Sequence, residues 1–347
     1  MYGLNIEKVN LKRQSSKDEV INFLKKFQLE LDDNVDYTVV IRKDGEIKGT
    51  CSKAKNVFKC FAISKDLQGE GVSATLLNTL NDKLFEEGIY HSFIFTKLEN
   101  IDIFSGLGYK LIEKGYKVAL LENGIYNIDS YLGKISKEYK LEEKINRASL
   151  VMNCNPFTLG HLYLIEKASK ENEEVIVFIV QEDKSLFPFK DRYEIVKKGV
   201  SHLKNVKVIP GGEYIISSAT FPSYFLRKKD DVLNAYTSLD ANIFGKYFAN
   251  KFNIKKRYVG MEPYCEVTRA YNNALKNILP NYGVEIIEVE RKEFNKIPIS
   301  ASKVRELIKE NNISTIEKIV PKVTYEFLNT EEGVKIREKI KESNSPH

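Results

Sequence analysis

Tryptophan is absent from the 347 residues, and methionine (three), histidine (four) and cysteine (four) are scarce. Each scarcity closes off a class of protein. Cys51, Cys60, Cys154 and Cys265 stand apart with no CxxC pair, which argues against a structural zinc site and against a disulfide framework. No apolar run approaches the ~20 residues that cross a bilayer. The opening MYGLNIEKVNLKRQ has none of the apolar stretch of a secretory signal. Free thiols without an export signal point to the cytoplasm. The net charge is a mild +6, with basic residues dispersed among acidic ones and the Lys-rich C-terminal end interleaved with glutamate. Together with the missing tryptophan, this argues against nucleic acid and favours an anionic ligand or an acidic partner.

What remains is the composition of a soluble globular chain, 42% hydrophobic and 29% charged, long enough for two domains. There is no internal repeat and no low-complexity segment. Residues 17–30 have helical apolar spacing through Val20, Ile21, Phe23, Leu24 and Phe27. YTVVIR and EIKGTCS flank Lys43-Asp44-Gly45, a hairpin signal, because Asp-Gly suits the positive φ angles of tight turns. NVFKCFAIS is a strand, residues 72–87 a helix, HSFIFTK a strand, and YKVALLE closes the region. A connector follows, with KISKEYKLEEKIN as a charged amphipathic helix. Beyond Arg147 the character changes to strands and helices in alternation: ASLVM, a helix over 160–171, the continuously apolar EEVIVFIVQ, then further pairs to VEIIEVE. Such alternation predicts a doubly wound parallel sheet. Residues 300–342 read as helical. The expected organisation is a first α/β domain over 1–125, a helical linker over 126–146, and a second α/β domain over 147–347 with a helical C-terminus.

One of the four histidines lies in Asn155-Pro156-Phe157-Thr158-Leu159-Gly160-His161, between a buried strand and a helix. Ligands of open parallel sheets bind beyond the carboxyl ends of the strands. A helix starting there offers unpaired N–H groups and the positive end of its dipole to an anion. Gly160 is expected to let a phosphate approach the backbone, and Thr158 and His161 to donate to phosphate oxygens as charge grows on them. Far downstream, Ser300 and Ser302 of ISASKVR can cap a second helix, with Arg305 one turn on to grip further phosphates. Taken singly, each segment has a plainer reading: a capped helix start with a surface histidine, and a serine cap with a solvated arginine.

TxGH after a strand, followed by ISxSxxR, resembles the HxGH nucleotidyltransferase superfamily. Three further blocks resemble citrate lyase ligases specifically: Met152 to His161, Glu182-Asp183-Lys184-Ser185-Leu186-Phe187-Pro188-Phe189, and Gly260-Met261-Glu262-Pro263-Tyr264-Cys265 running on through Thr268 to Tyr271-Asn272. The resemblance implies a Rossmann-like nucleotidyltransferase (ligase) domain over 147–347. It implies ATP as cosubstrate, with Mg²⁺ arriving on it and no metal ligands supplied by the protein. It implies acetate and the acyl carrier subunit of citrate lyase, with its phosphoribosyl-dephospho-coenzyme A thiol, as partners, and no membrane. Carried over by position, His161, Thr158 and Arg305 are the catalytic candidates. Asn155, Gly160, Ser300 and Ser302 would bind the nucleotide, with Arg192 and Glu262 beside it. The first His of HxGH is Thr158 here, as in the ligase and cytidylyltransferase branches; Cys154 stands where a small residue is usual and reads as a buried spacer rather than a nucleophile.

In the first region, Gln68-Gly69-Glu70-Gly71-Val72-Ser73 resembles the pyrophosphate loop of GNAT acetyltransferases, and Phe104 to Tyr109 resembles a later segment of that fold. This implies a GNAT-like α/β domain in which Gln68 and Gly71 hold a coenzyme A-like arm, or one that only packs. Tyr109 is either an acid on a leaving thiol or a core aromatic. Two other functions stay open: a simple adenylyl- or cytidylyltransferase acting on a phosphorylated metabolite such as phosphopantetheine, and a non-catalytic acyl-carrier-binding module.

Overall fold

Asp44 and Gly45 take left-handed backbone, φ 52° and 82°, and turn strand β2 (Tyr37–Lys43) back as β3 (Glu46–Ala54), the tight hairpin expected of Asp-Gly. The computed structural model describes residues 5–343, except 142–143, 182–184, 217–220, 222–225, 227–228 and 263–264. Two compact units emerge. One comprises Met1–Tyr131 with Phe221–Leu239, the other Leu132–Thr220 with Asp240–His347.

In the first unit, β1 (Asn5–Lys8), α1 (Gln14–Lys25), β2, β3, β4 (Val57–Ile63), α2 (Val72–Glu86), β5 (His91–Thr96), α3 (Ile101–Gly106), β6 (Lys110–Gly115) and β7 (Val118–Gly124) build a sheet of order β1-β2-β3-β4-β5-β7-β6. Neighbours are antiparallel except β4 and β5, which pair in parallel through Val57 and Phe58 alone. Alternation divides the sheet's faces: Val39 and Ile41 pack with Leu76, Leu80 and Leu84 of α2, while Val40 and Ile47 pack with Val20 and Leu24 of α1. Tyr109 lies buried on the α2 side, its hydroxyl 2.9 Å from Ser92 Oγ, and burial pushes its pKa up.

Local expectations fail where single residues leave the regular backbone. Helix α1 ends at Lys25 rather than near residue 30, and Gln28 takes φ 60°. Within YKVALLE, residues 118–122 lie in strand β7, and Tyr116 and Lys117 (φ 58°) make the turn that leads into it from β6. The connector helix α4 (Ile128–Glu138) sits earlier than its charge pattern suggested, and Lys140 at φ 51° follows its end. Residues from far along the chain complete the first unit: Ser238 Oγ accepts from Tyr116 N–H (2.8 Å), Asp231 pairs with Lys117 (3.1 Å), and Gly115 has no room for a side chain because Leu239 N would lie 2.9 Å from its Cβ.

The second unit is doubly wound. Strands β8 (Arg147–Met152), β9 (Glu174–Ile179), β10 (Val206–Pro210), β11 (Ile254–Gly260) and β12 (Glu285–Val289) alternate with α5 (Leu159–Glu171), α6 (Phe189–Gly199), α7 (Lys229–Ile243, whose residues through Leu239 belong to the first unit) and α8 (Glu266–Ile278). All pairings are parallel, in the order β10-β9-β8-β11-β12, so the winding reverses between β8 and β11. Both faces are covered, which is why β9 reads as uninterrupted apolar sequence. Val175, Val177 and Ile179 pack with Ile165, Ala168 and Ile195. Phe178 points the other way, into Phe244, Phe248 and Phe252, which a π-helical stretch (Phe244–Ala249) continuing α7 carries onto the sheet. That face also holds a buried polar chain. Arg257 lies 4.3 Å over the Phe244 ring and donates to Tyr271 Oη (2.8 Å), which donates to Asp240 (2.5 Å). Burial raises the pKa of Asp240, against the pull of Arg257 and Tyr271. A short hairpin, β13 (Glu293–Phe294) and β14 (Ile297–Pro298), leads into α9 (Ala301–Lys309), α10 (Ile313–Ile319), α11 (Lys322–Leu328) and α12 (Glu331–Glu342), whose apolar faces close over Phe187 and Ile299.

Removing the Phe178 ring would leave a cavity among three aromatic neighbours. Phe178→Ala is expected to cost about 3–5 kcal/mol, read as a lowered urea midpoint of the second unit; an unchanged midpoint would contradict this packing.

Candidate active site

Strand β8 ends at Met152, and the chain turns through Cys154 (φ 54°) and a cis Asn155–Pro156 bond before Thr158 caps α5. The cap is reciprocal. Thr158 Oγ1 accepts from His161 N–H (3.4 Å), and His161 Nδ1 accepts from Thr158 N–H (3.1 Å) with Thr158 Oγ1 at 2.9 Å. An Nδ1 that accepts from a backbone amide carries no proton, so the neutral ring holds its hydrogen on Nε2. Burial, with the Arg291 charge second, lowers the His161 pKa to about 4. The residue is therefore an uncharged donor at neutral pH. Beside it, the first-turn N–H groups of Leu159 and Gly160 lie beyond intrahelical bonding, at the carboxyl edge of the sheet where its winding reverses.

Gly160 has a packing reason of its own. A Cβ there would lie 2.9 Å from the carbonyl oxygen of Ile299. The protein's own backbone takes the space a side chain would need. Ile299 immediately precedes α9, whose cap, Ser300 Oγ, accepts from Lys303 N–H (3.1 Å). The two motifs thus meet, and two helix N-termini converge. Arg305, 7% exposed, locks the meeting: Nη1 donates to the carbonyl of Asn155 (2.5 Å) and Nη2 to Ser302 Oγ (3.2 Å). Burial lowers its pKa. Asn155 is the other half of the lock, since its Oδ1 accepts from Phe187 N–H (3.1 Å).

Arg192 is fully buried. Its guanidinium donates to the carbonyls of Phe187 (2.9 Å), Asn153 (2.7 Å) and Val180 (2.9 Å), so it holds the loop walls together. Cys154 is buried and its thiol is pushed up to about 12, too high for a thiolate at neutral pH. Glu262 accepts from Cys265 N–H (3.0 Å) and pairs with Arg291, which also donates to the Met261 carbonyl (2.7 Å). Arg291 went unnoticed in the sequence; its only signal is a cation two residues beyond a strand of the parallel sheet. Glu182, Asp183, Lys184, Pro263 and Tyr264 lie outside the described residues.

Gln68 and Gly71 belong to the first unit and are not part of this cluster. Gly69 (φ 88°) and Gly71 (φ 75°) form the turn before α2, which starts without a side-chain cap. Gln68, Gly69 and Ser73 edge a cavity of about 430 Å³ walled by Phe58, Phe61 and Phe95. Among the described residues no group of three or more His, Cys, Asp or Glu is placed to hold a metal, and no helix is long and apolar enough to cross a membrane.

Residues 147–328 match the family model for the citrate lyase ligase C-terminal domain. The chain is 35% identical to the citrate (pro-3S)-lyase ligase of Escherichia coli over 336 residues, 94% of this chain and 95% of that one. It is also 35% identical to the Klebsiella pneumoniae protein of the same name over 331 residues, 94% and 96% of the two chains. A GNAT-family acetyltransferase structure from Staphylococcus aureus is similar over 35% of this chain and 99% of its own, at 16% identity and a TM-score of 0.32.

The histidine makes a prediction of its own. In ring nitrogen NMR, His161 should show the Nε2–H tautomer and titrate near 4 instead of the usual 6.5. The unfolded chain takes up a proton below the ordinary value that the folded chain refuses. This residue's contribution to stability should therefore fall as pH drops through that window. A titration at the ordinary value would refute the half-buried, amide-fixed ring.

Proposed function

The chain belongs to the citrate lyase ligase family, and from that premise we propose that it acetylates the prosthetic-group thiol of citrate lyase's acyl carrier subunit, using acetate and ATP and releasing AMP and pyrophosphate. It is an enzyme, a ligase. The observation that carries the mechanism is the convergence of two helix N-termini around a neutral Nε2–H donor, an arrangement suited to polyphosphate.

In the first step an acetate oxygen attacks the α-phosphorus in line. The bond to the β-phosphate breaks, and pyrophosphate leaves with its electron pair. His161 Nε2–H and the first-turn amides of α5 meet the phosphate oxygens whose charge grows as that bond lengthens, so they bind the transition state more tightly than the ground state. Because the ring is uncharged, it gives a hydrogen bond without surrendering a proton. Thr158, committed to the ring through its amide and hydroxyl, fixes the tautomer. The amides at the start of α9, with Ser300, Ser302 and Arg305, take the outer phosphates. Asn155 and Arg192 keep the walls in place, and Glu262 acts beside the nucleotide. Mg²⁺ is expected to enter on ATP, held by phosphate oxygens and water. In the second step the carrier thiolate attacks the acyl carbon of acetyl-adenylate and AMP departs.

We assign this chemistry to residues 147–347, after a connector over 126–146, and a GNAT-like role to residues 1–125. The Gln68–Ser73 turn and its adjoining apolar cavity suit a coenzyme A-like arm, with amides at the start of α2 for its phosphates and aromatic walls for its chain. The cytoplasm is the expected setting.

The test follows pyrophosphate release from ATP and Mg²⁺, with acetate and then the thiol-bearing carrier subunit added. Release should require acetate, rise with the carrier, and fall about 100- to 1000-fold in His161→Ala, the usual loss for one transition-state donor. Turnover that ignores acetate but accepts a phosphorylated pantetheine would identify a simple nucleotidyltransferase. Carrier binding without turnover would identify a binding module.

A further inference from the structure

Bringing acetate onto ATP sets one anion against another, and the groups so far placed in the site supply little free positive charge. His161 is neutral. Arg305 is turned onto the Asn155 carbonyl and Ser302, and Arg192 is buried beneath loop carbonyls. Arg291 differs from these. It stands just beyond β12, with Nε on the Met261 carbonyl (2.7 Å) and Nη2 on the Glu262 carboxylate. Its surroundings are stitched to the phosphate-facing helices through the backbone. Met261 N–H donates to the Val289 carbonyl (2.8 Å), and Ile299 N–H donates to the carbonyl of Lys292 (2.9 Å). The carbonyl of that same Ile299 lies over Gly160, next to His161. The guanidinium is thus held on two of its edges. Its side chain is 26% exposed, and Nη1 makes no protein hydrogen bond among the described residues.

We propose that Arg291 is a further catalytic residue of the adenylylation step, its free Nη1 edge bonding the α-phosphate of ATP while Glu262 and the Met261 carbonyl hold the guanidinium in place. The assignment rests on the ligase reading above. As the carboxylate oxygen forms its bond to phosphorus and pyrophosphate leaves, Arg291 stays protonated throughout. Its charge offsets the repulsion between the incoming carboxylate and the phosphate, and its N–H groups follow the equatorial oxygens. A planar, permanently charged fork suits this task, and a point charge on a flexible stem suits it less. Glu262 is then a positioning residue that acts through Arg291. The Arg291 charge also bears on His161, being the second cause, after burial, of that ring's lowered pKa.

The experiment measures acetate-dependent exchange of labelled pyrophosphate into ATP by the full chain, its R291Q, R291K and E262Q variants, and R291A with added guanidinium. Binding of inorganic pyrophosphate, which has no α-phosphate, is measured alongside. The expected result is a kcat for exchange about 100- to 1000-fold lower in R291Q, partial recovery in R291K and in R291A with guanidinium, and pyrophosphate affinity close to that of the unaltered chain. The E262Q variant should lose less, and the His161 titration should move upward in R291Q. Exchange at the unaltered rate in R291Q would overturn the assignment, as would a loss of pyrophosphate affinity as large as the loss of rate. No acetate-dependent exchange by the unaltered chain would remove the ligase reading and this assignment with it; exchange that R291Q retains would remove the assignment alone.

Discussion

The second unit depends on one close approach: the Ile299 carbonyl over Gly160. Because residue 160 carries no side chain, the start of α9 can lie against the first turn of α5. Only then can Arg305 reach the carbonyl of Asn155, 150 residues away in sequence. The loop after β8 is fixed from both sides, by Arg305 on one carbonyl and by Phe187 N–H on the Asn155 side chain. Strand ends of a parallel sheet commonly supply one helix N-terminus to an anion. Here the start of a helix from the C-terminal cluster is brought in beside it.

The same approach explains why the histidine is electrically silent. Covered by neighbouring chain and tied to its own helix cap, His161 gives up basicity and gains a fixed direction. Charge is left to arginines, whose protonation does not vary with physiological pH.

Much of this was legible beforehand. The strand–helix alternation beyond Arg147, the buried apolar run of β9 and the Asp44-Gly45 turn follow from periodicity and turn chemistry, and the structure has them. The two motifs were visible as separate segments, each with a plain alternative. Their contact was not, because contacts 139 and 150 residues apart leave no local pattern. For the same reason the crowding of Gly160 by Ile299 left no trace in the sequence. Arg192 was expected beside the nucleotide, and its guanidinium donates to the carbonyls of Phe187, Asn153 and Val180. Arg291 left no signal beyond its charge. The breaks at Gln28, Lys117 and Lys140 escaped notice because lysine and glutamine rarely take positive φ, and nothing in their spelling announces it.

The return of Phe221–Leu239 to the first unit bears on how the chain is born. A growing polypeptide folds from its N-terminus as it leaves the ribosome, and this unit is not finished when residue 131 emerges. Gly115, Tyr116 and Lys117 meet Leu239, Ser238 and Asp231 only after another hundred or so residues have been made, a wait on the order of 5–20 s at ordinary elongation rates. During that interval the β6–β7 hairpin presents an uncovered flank, while β8, β9 and β10 of the second unit are being made. The order of synthesis and the order of completion are therefore not the same, and the first unit to begin waits on a segment made midway through the second.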